Sequence, residues 1–330
     1  MNIRRKLLVA LGAGALAVPF GSFAQQQGKV WRVGFLMARS RLASLDSDVF
    51  GAFPRGMREL GYVEGKNLVI EWLSAEGKYE RLPGLASELV RLKVDVIVAA
   101  GPPAISAAQK VTSTVPIVMA NASDPVGSGY VKSLAHPGGN ITGLSDLSGD
   151  LGPKRLEMLL SMVPKLTRVA VLVNRGNPSH AVALKSIRVA AQKAGVTILS
   201  AEAQTPQEIE RAFSMMVRQN AGAIMVPGDA LFTPQHRQIA ELAAKNRLPS
   251  ISLRREYVVA GGLMSYGQNA TENFRRAATY VDKIFKGAKP GDLPVEQPTI
   301  FELFINGKTA NALGLKIPQS LLISAEKVIE

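Results

Sequence analysis

A short, almost continuous apolar run limits the folds open to this chain. Residues 94–100 read Val-Asp-Val-Ile-Val-Ala-Ala, and Gly101-Pro102-Pro103 then turns the chain into a helical segment through Lys110. A strand this apolar is typical of a parallel sheet that is covered on both faces. Because parallel neighbours need a crossover, usually a helix, the run predicts alternating strands and helices.

The alternation of strand and helix occurs twice along the chain. The first series predicts strands at residues 30–37, 68–72, 94–100 and 115–120. The second begins after Pro153 and predicts strands at residues 168–174, 221–226, 249–253 and 262–266. Thr205-Pro206-Gln207-Glu208 reads as a capping box that starts a helix in this second series. Two such series, joined near residue 150, predict an α/β fold with two doubly wound parallel-sheet lobes.

The first residues have the three-part pattern of a secretory leader. Arg4-Arg5-Lys6 precedes an apolar run from Leu7 to Phe20, and Ser22-Phe23-Ala24 forms a small-x-small cleavage site. The apolar run is shorter than the roughly 20 residues of a spanning helix. We therefore expect a signal peptide at residues 1–24, cleaved after Ala24. The paired arginines also resemble a twin-arginine signal, so the Sec and twin-arginine routes both stay open.

Composition limits the function classes of the mature chain. Hydrophobic residues make up 47% of the sequence and cysteine is absent, so we expect a buried core without disulfides, thiol catalysis or a cysteine-linked lipid. The net charge is +13, or +10 without the three basic residues of the leader, and the remaining basic residues are dispersed. No basic run is interleaved with aromatic residues, so we expect a solvated surface and no nucleic-acid partner.

Signals for catalysis are scarce in this sequence. The three histidines, His136, His180 and His236, have no metal-ligand spacing, and each reads as a surface or capping residue. There is no P-loop, no G-x-S-x-G elbow and no G-x-G-x-x-G turn. We therefore expect no enzyme activity, no metal and no cofactor.

Loops at the ends of the predicted strands are the candidate ligand contacts, because the carboxyl ends of parallel strands meet at one edge of a sheet. Gly101–Ala104 opens a helix whose amides could meet an anion, or it is an ordinary turn with proline at the first helical position. Asn121–Pro125 is either a ligand contact or a plain Asx-turn, and Asp229 could pair with a ligand's ammonium group. The candidate ligand-binding residues are Phe35, Ser40, Gly101, Pro102, Pro103, Ala104, Asn121, Asp124, Asn174, Asn177, Asp229, Phe232 and Tyr266.

Several motifs together resemble one known family. These motifs are Val-Pro-Ile-Val-Met-Ala at 115–120 with Asp-Pro-Val-Gly at 124–127, Ala-His-Pro-Gly-Gly-Asn-Ile-Thr-Gly-Leu at 135–144, Gly-Gly-Leu-Met-Ser-Tyr-Gly at 261–267, Leu-Pro-Val-Glu-Gln-Pro at 293–298 and Asn-Ala-Leu-Gly-Leu at 311–315. They resemble the ABC-transporter substrate-binding proteins related to the tryptophan- and tyrosine-binding lipoproteins of Gram-positive bacteria. The resemblance covers nearly all of the mature chain, in order.

The resemblance implies a type I periplasmic-binding-protein fold, in which two lobes enclose a ligand and three segments form the hinge. We expect the first lobe at residues 30–147 plus 270–290 and the second at residues 148–269 plus 291–330. The hinge segments are expected near 143–149, near Asn269 and near Pro290. Two departures from the family pattern are Pro54, inside the first predicted helix, and the missing lipid-attachment cysteine, which fits a soluble protein of a Gram-negative periplasm.

The resemblance also implies capture of a small ligand by closure of the lobes, and delivery to an ABC permease and its ATPase. We expect a monomer that meets the membrane only through the permease and binds an amino acid or an aromatic carboxylate. In this hypothesis Gly101–Ala104 and Ser40 hold an acidic group, Asp229 a basic one, and Phe35, Phe232 and Tyr266 the apolar body. A periplasmic sensor that docks on a receptor, or a secreted α/β enzyme, remains the alternative.

Overall fold

Two sheets organise the described residues, 29–41, 44–45, 48–147 and 151–330 of a computed structural model. The predicted leader through Ala24 lies outside them. The strands are β1 (Trp31–Met37), β2 (Leu68–Ser74), β3 (Val96–Ala100), β4 (Ile117–Ala122), β5 (Ile141–Ser145), β6 (Arg168–Val173), β7 (Thr197–Glu202), β8 (Ala223–Val226), β9 (Ser250–Ser252), β10 (Met264–Gly267), β11 (Glu302–Asn306) and β12 (Lys327–Ile329). The helices are α1 (Ala52–Glu59), α2 (Leu82–Arg91), α3 (Pro102–Val111), α4 (Leu151–Met162), α5 (Pro178–Lys193), α6 (Pro206–Arg218), α7 (His236–Lys245), α8 (Arg255–Val259), α9 (Ala270–Phe285), α10 (Gly307–Ala312) and α11 (Gln319–Ser324).

The first sheet has the strand order β2-β1-β3-β4-β5, and all its neighbouring strands are parallel. The second sheet has the order β12-β11-β10-β9-β8-β6-β7 and is parallel except where β10 meets β11. Val96–Val98 of β3 are fully buried, as the apolar run predicts. Parallel strands need crossovers, and the helices between them supply these connections.

Helices cover both faces of each sheet, so each sheet lies between two apolar cores. One face of the first sheet packs Phe35 and Phe53 against Phe274 of α9, while the opposite face packs Leu36 against Leu89 of α2 and Ile105 of α3. The second sheet is enclosed in the same way by α4 and α5 on one face and by α6 and α7 on the other. The prediction of two doubly wound α/β lobes is confirmed.

Local signals explain how individual helices begin. Pro54 is the third residue of α1, in the first turn, where a helix has no acceptor for its N–H in any case. Thr205 caps α6 by accepting a hydrogen bond from the N–H of Glu208 at 3.3 Å, as the capping box predicts. The carboxylate of Glu208 reaches the N–H of Gln204 at 2.7 Å, one residue earlier than in the standard box.

The chain crosses between the sheets three times, which confirms the predicted three-segment hinge. The first crossing joins β5 to α4 and the second joins β10 to α9. The third lies after Glu296, C-terminal to the expected position near Pro290, because residues 293–296 still pair with the first lobe. The N–H of Val295 donates to the carbonyl of Leu134 at 2.7 Å, and that of Glu296 donates to the carbonyl of Gly143 at 3.0 Å.

Candidate ligand-binding site

A buried polar cluster surrounds Asp229, in the loop after β8. The carboxylate oxygen Oδ1 accepts hydrogen bonds from Asn174 Nδ2 at 3.0 Å and from the N–H of Leu231 at 2.8 Å. The other oxygen, Oδ2, accepts from Asn177 Nδ2 at 2.9 Å and from the hydroxyl of Tyr79 at 2.8 Å. Four donors therefore stabilise the charge of this carboxylate, which is 6% exposed.

The two asparagines of the Asp229 cluster are held by the turn between β6 and α5. Asn177 caps α5, because its Oδ1 accepts from the N–H of Ser179 at 3.1 Å. The N–H of Asn174 donates to His180 Nδ1 at 2.9 Å, so the proton of the imidazole is on Nε2, 3.6 Å from Asp229 Oδ2. Burial lowers the pKa of His180, and the ring is neutral at physiological pH.

Tyr79 links the two lobes. It lies in the turn before α2, in the first lobe, and its hydroxyl donates to Asp229 while accepting the N–H of Ala230 at 3.3 Å. Its ring passes close to Gly176, where an added Cβ would lie 2.8 Å from Tyr79 Cδ2. Burial raises the pKa of Tyr79, and the negative charge of Asp229 adds to the shift, so the hydroxyl stays protonated as a donor.

The expected anion site at the start of α3 has few backbone donors. Gly101 adopts φ 94°, which favours glycine, and Pro102 and Pro103 occupy the first two helical positions. Because proline has no N–H, Ala104 is the first residue inside the helix that carries an amide proton. An amide cradle for a carboxylate is correspondingly incomplete here.

Asn121 and Asp124 both have structural partners. Asn121 Oδ1 accepts from Gln268 Nε2 at 3.1 Å and from Asn273 Nδ2 at 3.0 Å, which ties β4 to the second crossing and to α9. Asp124 Oδ1 accepts from the N–H of Gly127 at 2.8 Å and closes a turn. These contacts match the plain-turn interpretation of the Asn121–Pro125 segment.

The three aromatic candidate residues lie in different parts of the structure and differ in burial. Phe35 has no exposed surface and packs in the first core, with ring centroids 4.5 Å from Trp72. Phe232 is also fully buried and lies against His180, with centroids 5.9 Å apart. Tyr266 is half-buried against Phe301. The structure thus brings together Asn174, Asn177, Asp229 and Phe232, while Phe35 packs in the core of the first lobe and Ser40 is exposed.

A polar pocket lies next to the second crossing. Its polar lining includes Arg254, Ser265, Gln268, Asn269 and Glu302. These residues come from the loop after β9, the end of β10, the crossing itself and the start of β11. Only the tertiary structure brings them together.

A second pocket lies in the second lobe. Its lining is mostly apolar and includes Val173, Leu184, Ile187 and Met225, with His180 at one side. Among the described residues, no group of three His, Asp or Glu side chains is placed to hold a metal ion, and no helix is long and apolar enough to cross a membrane.

Comparison with known proteins decides the family. A family model described as ABC transporter substrate binding protein matches residues 43–329. The chain belongs to this family. The resemblance inferred from the sequence motifs is therefore confirmed, and the two-sheet architecture agrees with the type I periplasmic-binding-protein fold of solved relatives.

Several relatives of this substrate-binding protein have a known ligand or conformational state. A tyrosine-binding protein of Clostridioides difficile (strain R20291) is 30% identical over 274 residues, which are 83% of this chain and 78% of that protein. The structure of an ABC domain from Streptococcus pneumoniae in complex with L-Trp has a TM-score of 0.82 at 27% identity, covering 91% of this chain and 99% of that one. The ligand-free, open structure of a substrate-binding protein with adhesive properties from Clostridium difficile has a TM-score of 0.64 at 26% identity, with the same coverage.

Proposed function

We propose that this protein is exported to the periplasm, binds an aromatic amino acid between its lobes and delivers it to an ABC permease with its ATPase. The family membership supports a role as a transporter's binding subunit. A tyrosine-binding relative and a tryptophan-bound structural relative support the ligand class. Cleavage after Ala24 would release the mature chain, which acts without a cofactor.

The contact between Tyr79 and Asp229 carries the proposal. Binding proteins of this fold work by closing two lobes over a ligand, and this hydrogen bond joins one lobe to the other. The similarity scores support a closed arrangement, since at almost equal identity the tryptophan complex matches better than the open structure, 0.82 against 0.64. We infer that the cluster around Asp229 stabilises the closed state.

Closure needs a ligand because the Tyr79 hydroxyl contributes only two hydrogen bonds between the lobes, one to the Asp229 carboxylate and one from the N–H of Ala230. A single hydrogen bond of this kind contributes on the order of 1 kcal/mol net. The ligand adds contacts that exist only when both lobes surround it, and it shifts the population toward the closed state by that difference in affinity. Opening breaks the Tyr79 contact and releases the ligand, while the asparagines keep the carboxylate hydrogen-bonded.

The Asp229 cluster contains a histidine and a tyrosine near a carboxylate, which an enzyme could use. Their bonding favours a structural role. His180 Nδ1 accepts the N–H of Asn174, so this nitrogen is not available as a base. The pKa of His180 is lowered and that of Tyr79 is raised, so neither group is poised to exchange a proton near neutral pH. These observations support binding rather than catalysis.

Native mass spectrometry of the protein, purified from the periplasm without denaturation, tests the proposed function. We expect a bound small molecule with the mass of an aromatic amino acid. After its removal, L-tyrosine or L-tryptophan should raise the melting temperature, because binding to the folded state stabilises it. A ligand that is chemically altered on incubation would favour an enzyme. No stabilisation by any of the common amino acids would contradict the ligand class.

A further inference from the structure

The pocket beside the second crossing differs from the Asp229 cluster because two of its polar groups, Arg254 and Gln268 Oε1, have no hydrogen-bond partner among the described residues, whereas Glu302 accepts from Asn269 Nδ2 at 3.4 Å. Arg254 follows β9, at the carboxyl edge of the second sheet, and Gln268 lies in the crossing that leads to α9. Both line the pocket, together with Ser265 and Glu302. In parallel sheets this edge is where ligands bind.

Gln268 lines this pocket and carries a buried acceptor. Its side chain is fixed at one end, since Nε2 donates to Asn121 Oδ1 at 3.1 Å. Among the residues that the structure describes, nothing donates a hydrogen bond to the other end, Oε1, although Gln268 is only 7% exposed. A buried acceptor without a donor is costly, so a group that donates to Oε1 would bind with a clear gain.

Arg254 supplies the complementary donor. Within the described part of the chain, its guanidinium forms no hydrogen bond and no ion pair, although the side chain is half-buried. The charged and titratable groups near it are Asp146 of the first crossing, Glu256 of α8, Arg39 of the first lobe, Arg155 of α4 and His236 of α7. Burial lowers the pKa of Arg254, and an anionic partner would stabilise the cation.

We propose that this pocket holds the charged head group of an α-amino acid, with Arg254 binding the carboxylate and Gln268 Oε1 accepting a hydrogen bond from the ammonium group. The planar fork of a guanidinium matches a carboxylate in a bidentate contact. Glu302, which also lines the pocket and accepts a hydrogen bond from Asn269 Nδ2 at 3.4 Å, adds negative charge to it. This assignment rests on the proposed function. It adds that the protein prefers ligands that carry both a carboxylate and an ammonium group.

The geometry also explains why the head group binds here rather than at Asp229. Four donors already surround the Asp229 carboxylate, so a ligand's ammonium group would have to displace one of them. The start of α3 is a poor alternative for the carboxylate, because its first two helical residues are prolines. The Arg254 pocket has both an unused cation and an unused acceptor.

Isothermal titration calorimetry with three probes tests the proposal. The probes are L-tyrosine, tyramine, which lacks the carboxylate, and 3-(4-hydroxyphenyl)propionate, which lacks the ammonium group. For the wild-type protein we expect tyramine to bind about 30-fold or more weakly than L-tyrosine, the loss typical of an enclosed charge contact. The variant Arg254→Met should bind L-tyrosine about as weakly as the wild type binds tyramine, and the difference between these two probes should disappear.

Gln268→Met should affect the probes that carry an ammonium group, whereas Arg254→Met affects those that carry a carboxylate. Gln268→Met removes the acceptor for the ammonium group, so binding of L-tyrosine and tyramine should weaken more than binding of the propionate, whose change reports the loss of the Gln268–Asn121 hydrogen bond. Arg254→Lys keeps the charge without the fork and should restore part of the affinity for L-tyrosine. Arg188→Met, an exposed arginine of α5, is the matched control and should change none of the three affinities.

Each result has a defined meaning. Equal weakening of all three probes by Arg254→Met would show a structural role and overturn the assignment, as would unchanged binding of all three. Suppose instead that the wild type binds L-tyrosine, but Arg254→Met does not selectively weaken the probes that carry a carboxylate and Gln268→Met does not selectively weaken those that carry an ammonium group. The assignment of the head-group site is then wrong, and the proposed function stands. If the wild type binds neither L-tyrosine nor L-tryptophan, the proposed function itself fails.

Discussion

The Asp229 cluster and the Arg254 pocket are both polar and both lie at the carboxyl edge of the second sheet, but their bonding is opposite. The Asp229 carboxylate accepts four hydrogen bonds, one of them from Tyr79 of the other lobe. In the pocket, Gln268 Oε1 has no donor among the described residues. A satisfied buried charge stabilises a conformation, whereas an unsatisfied buried group favours a ligand.

This difference in bonding suggests that one region serves closure of the lobes and the other serves recognition of the ligand. In the proposed arrangement, the Asp229 cluster contributes to holding the lobes together regardless of which ligand is enclosed, and the Arg254 pocket selects ligands by their charged groups. Stability and selectivity should therefore respond differently to mutations in the two regions.

Replacing Asp229 should have the largest effect on stability. Asp229→Ala leaves the side-chain donors of Asn174, Asn177 and Tyr79 buried without their acceptor, and we expect the free energy of unfolding to fall by about 3 kcal/mol. Binding of all three tyrosine-derived probes should weaken by a similar factor, because closure is affected and not a particular charge. Urea unfolding and calorimetry measure the two effects.

Asp124→Ala is the control for Asp229→Ala. Asp124 caps a turn with one hydrogen bond, so its loss should lower the free energy of unfolding by about 1 kcal/mol and leave binding unchanged. If Asp229→Ala weakens only the two probes that carry an ammonium group, Asp229 is a direct ligand contact as the sequence suggested.

Acidification should destabilise the fold through His236. This ring lies in α7 and packs against Tyr257, and burial, together with the charge of Arg254, lowers its pKa from 6.5 to about 4. The unfolded chain thus binds a proton more readily than the folded one, and stability is lost as the pH falls from about 6.5 toward 4. By pH 5 this amounts to about 2 kcal/mol.

The variant His236→Phe isolates this contribution. Its ring can pack on Tyr257 without titrating, so the difference in unfolding free energy between pH 7.5 and pH 5 should be smaller than in the wild type by about 2 kcal/mol. An identical pH dependence in both proteins would mean that His236 titrates normally in the folded state.

Blocking the approach of Tyr79 should weaken binding without changing the pocket. Gly176→Ala places a Cβ 2.8 Å from the Tyr79 ring in the closed arrangement, and we expect the affinity for L-tyrosine to fall about tenfold, or about 1.4 kcal/mol. Gly84→Ala is the control, because a Cβ there meets no atom within 4 Å. Equal affinities for Gly176→Ala and the wild type would show that closure does not require the Tyr79 contact.

The smallest effect on stability should come from Arg254. Arg254→Met removes a poorly solvated cation without a partner among the described residues, so the free energy of unfolding should change by less than about 1 kcal/mol, in either direction. Thermal and urea unfolding measure this change. A loss of about 3 kcal/mol would place Arg254 with Asp229 as a structural group and remove the contrast between the two regions.

The sequence predicted the fold better than the site. Continuous apolar runs such as Val96–Ala100 and caps such as Thr205 are local signals, and the structure places them within a few residues of the predictions. Strand β1 shows why side-chain roles were harder to assign. Because Val33–Met37 are buried on both faces, alternation cannot distinguish a cleft residue from a core residue, and Phe35 packs in the core.

The missed site residues depend on contacts that are distant in sequence. Tyr79 meets Asp229 from the other lobe, and Gln268 meets Asn121 across the hinge. His180 read as a capping or surface residue, yet it is buried behind Asn174. No periodicity or spacing encodes these pairs. The absence of N–H groups at Pro102 and Pro103 was, by contrast, readable from the sequence.

The absence of cysteine allows a direct measurement of closure. Cysteines introduced at two exposed positions, Lys110 of α3 and Lys193 of α5, would carry two spin labels, one on each lobe. Both helices begin at the carboxyl ends of strands, so these C-terminal positions point away from the cleft. Double electron–electron resonance should show one short, narrow distance with saturating L-tyrosine and a longer, broader distribution without it. The same distribution in both conditions, with binding verified by calorimetry, would contradict capture by closure.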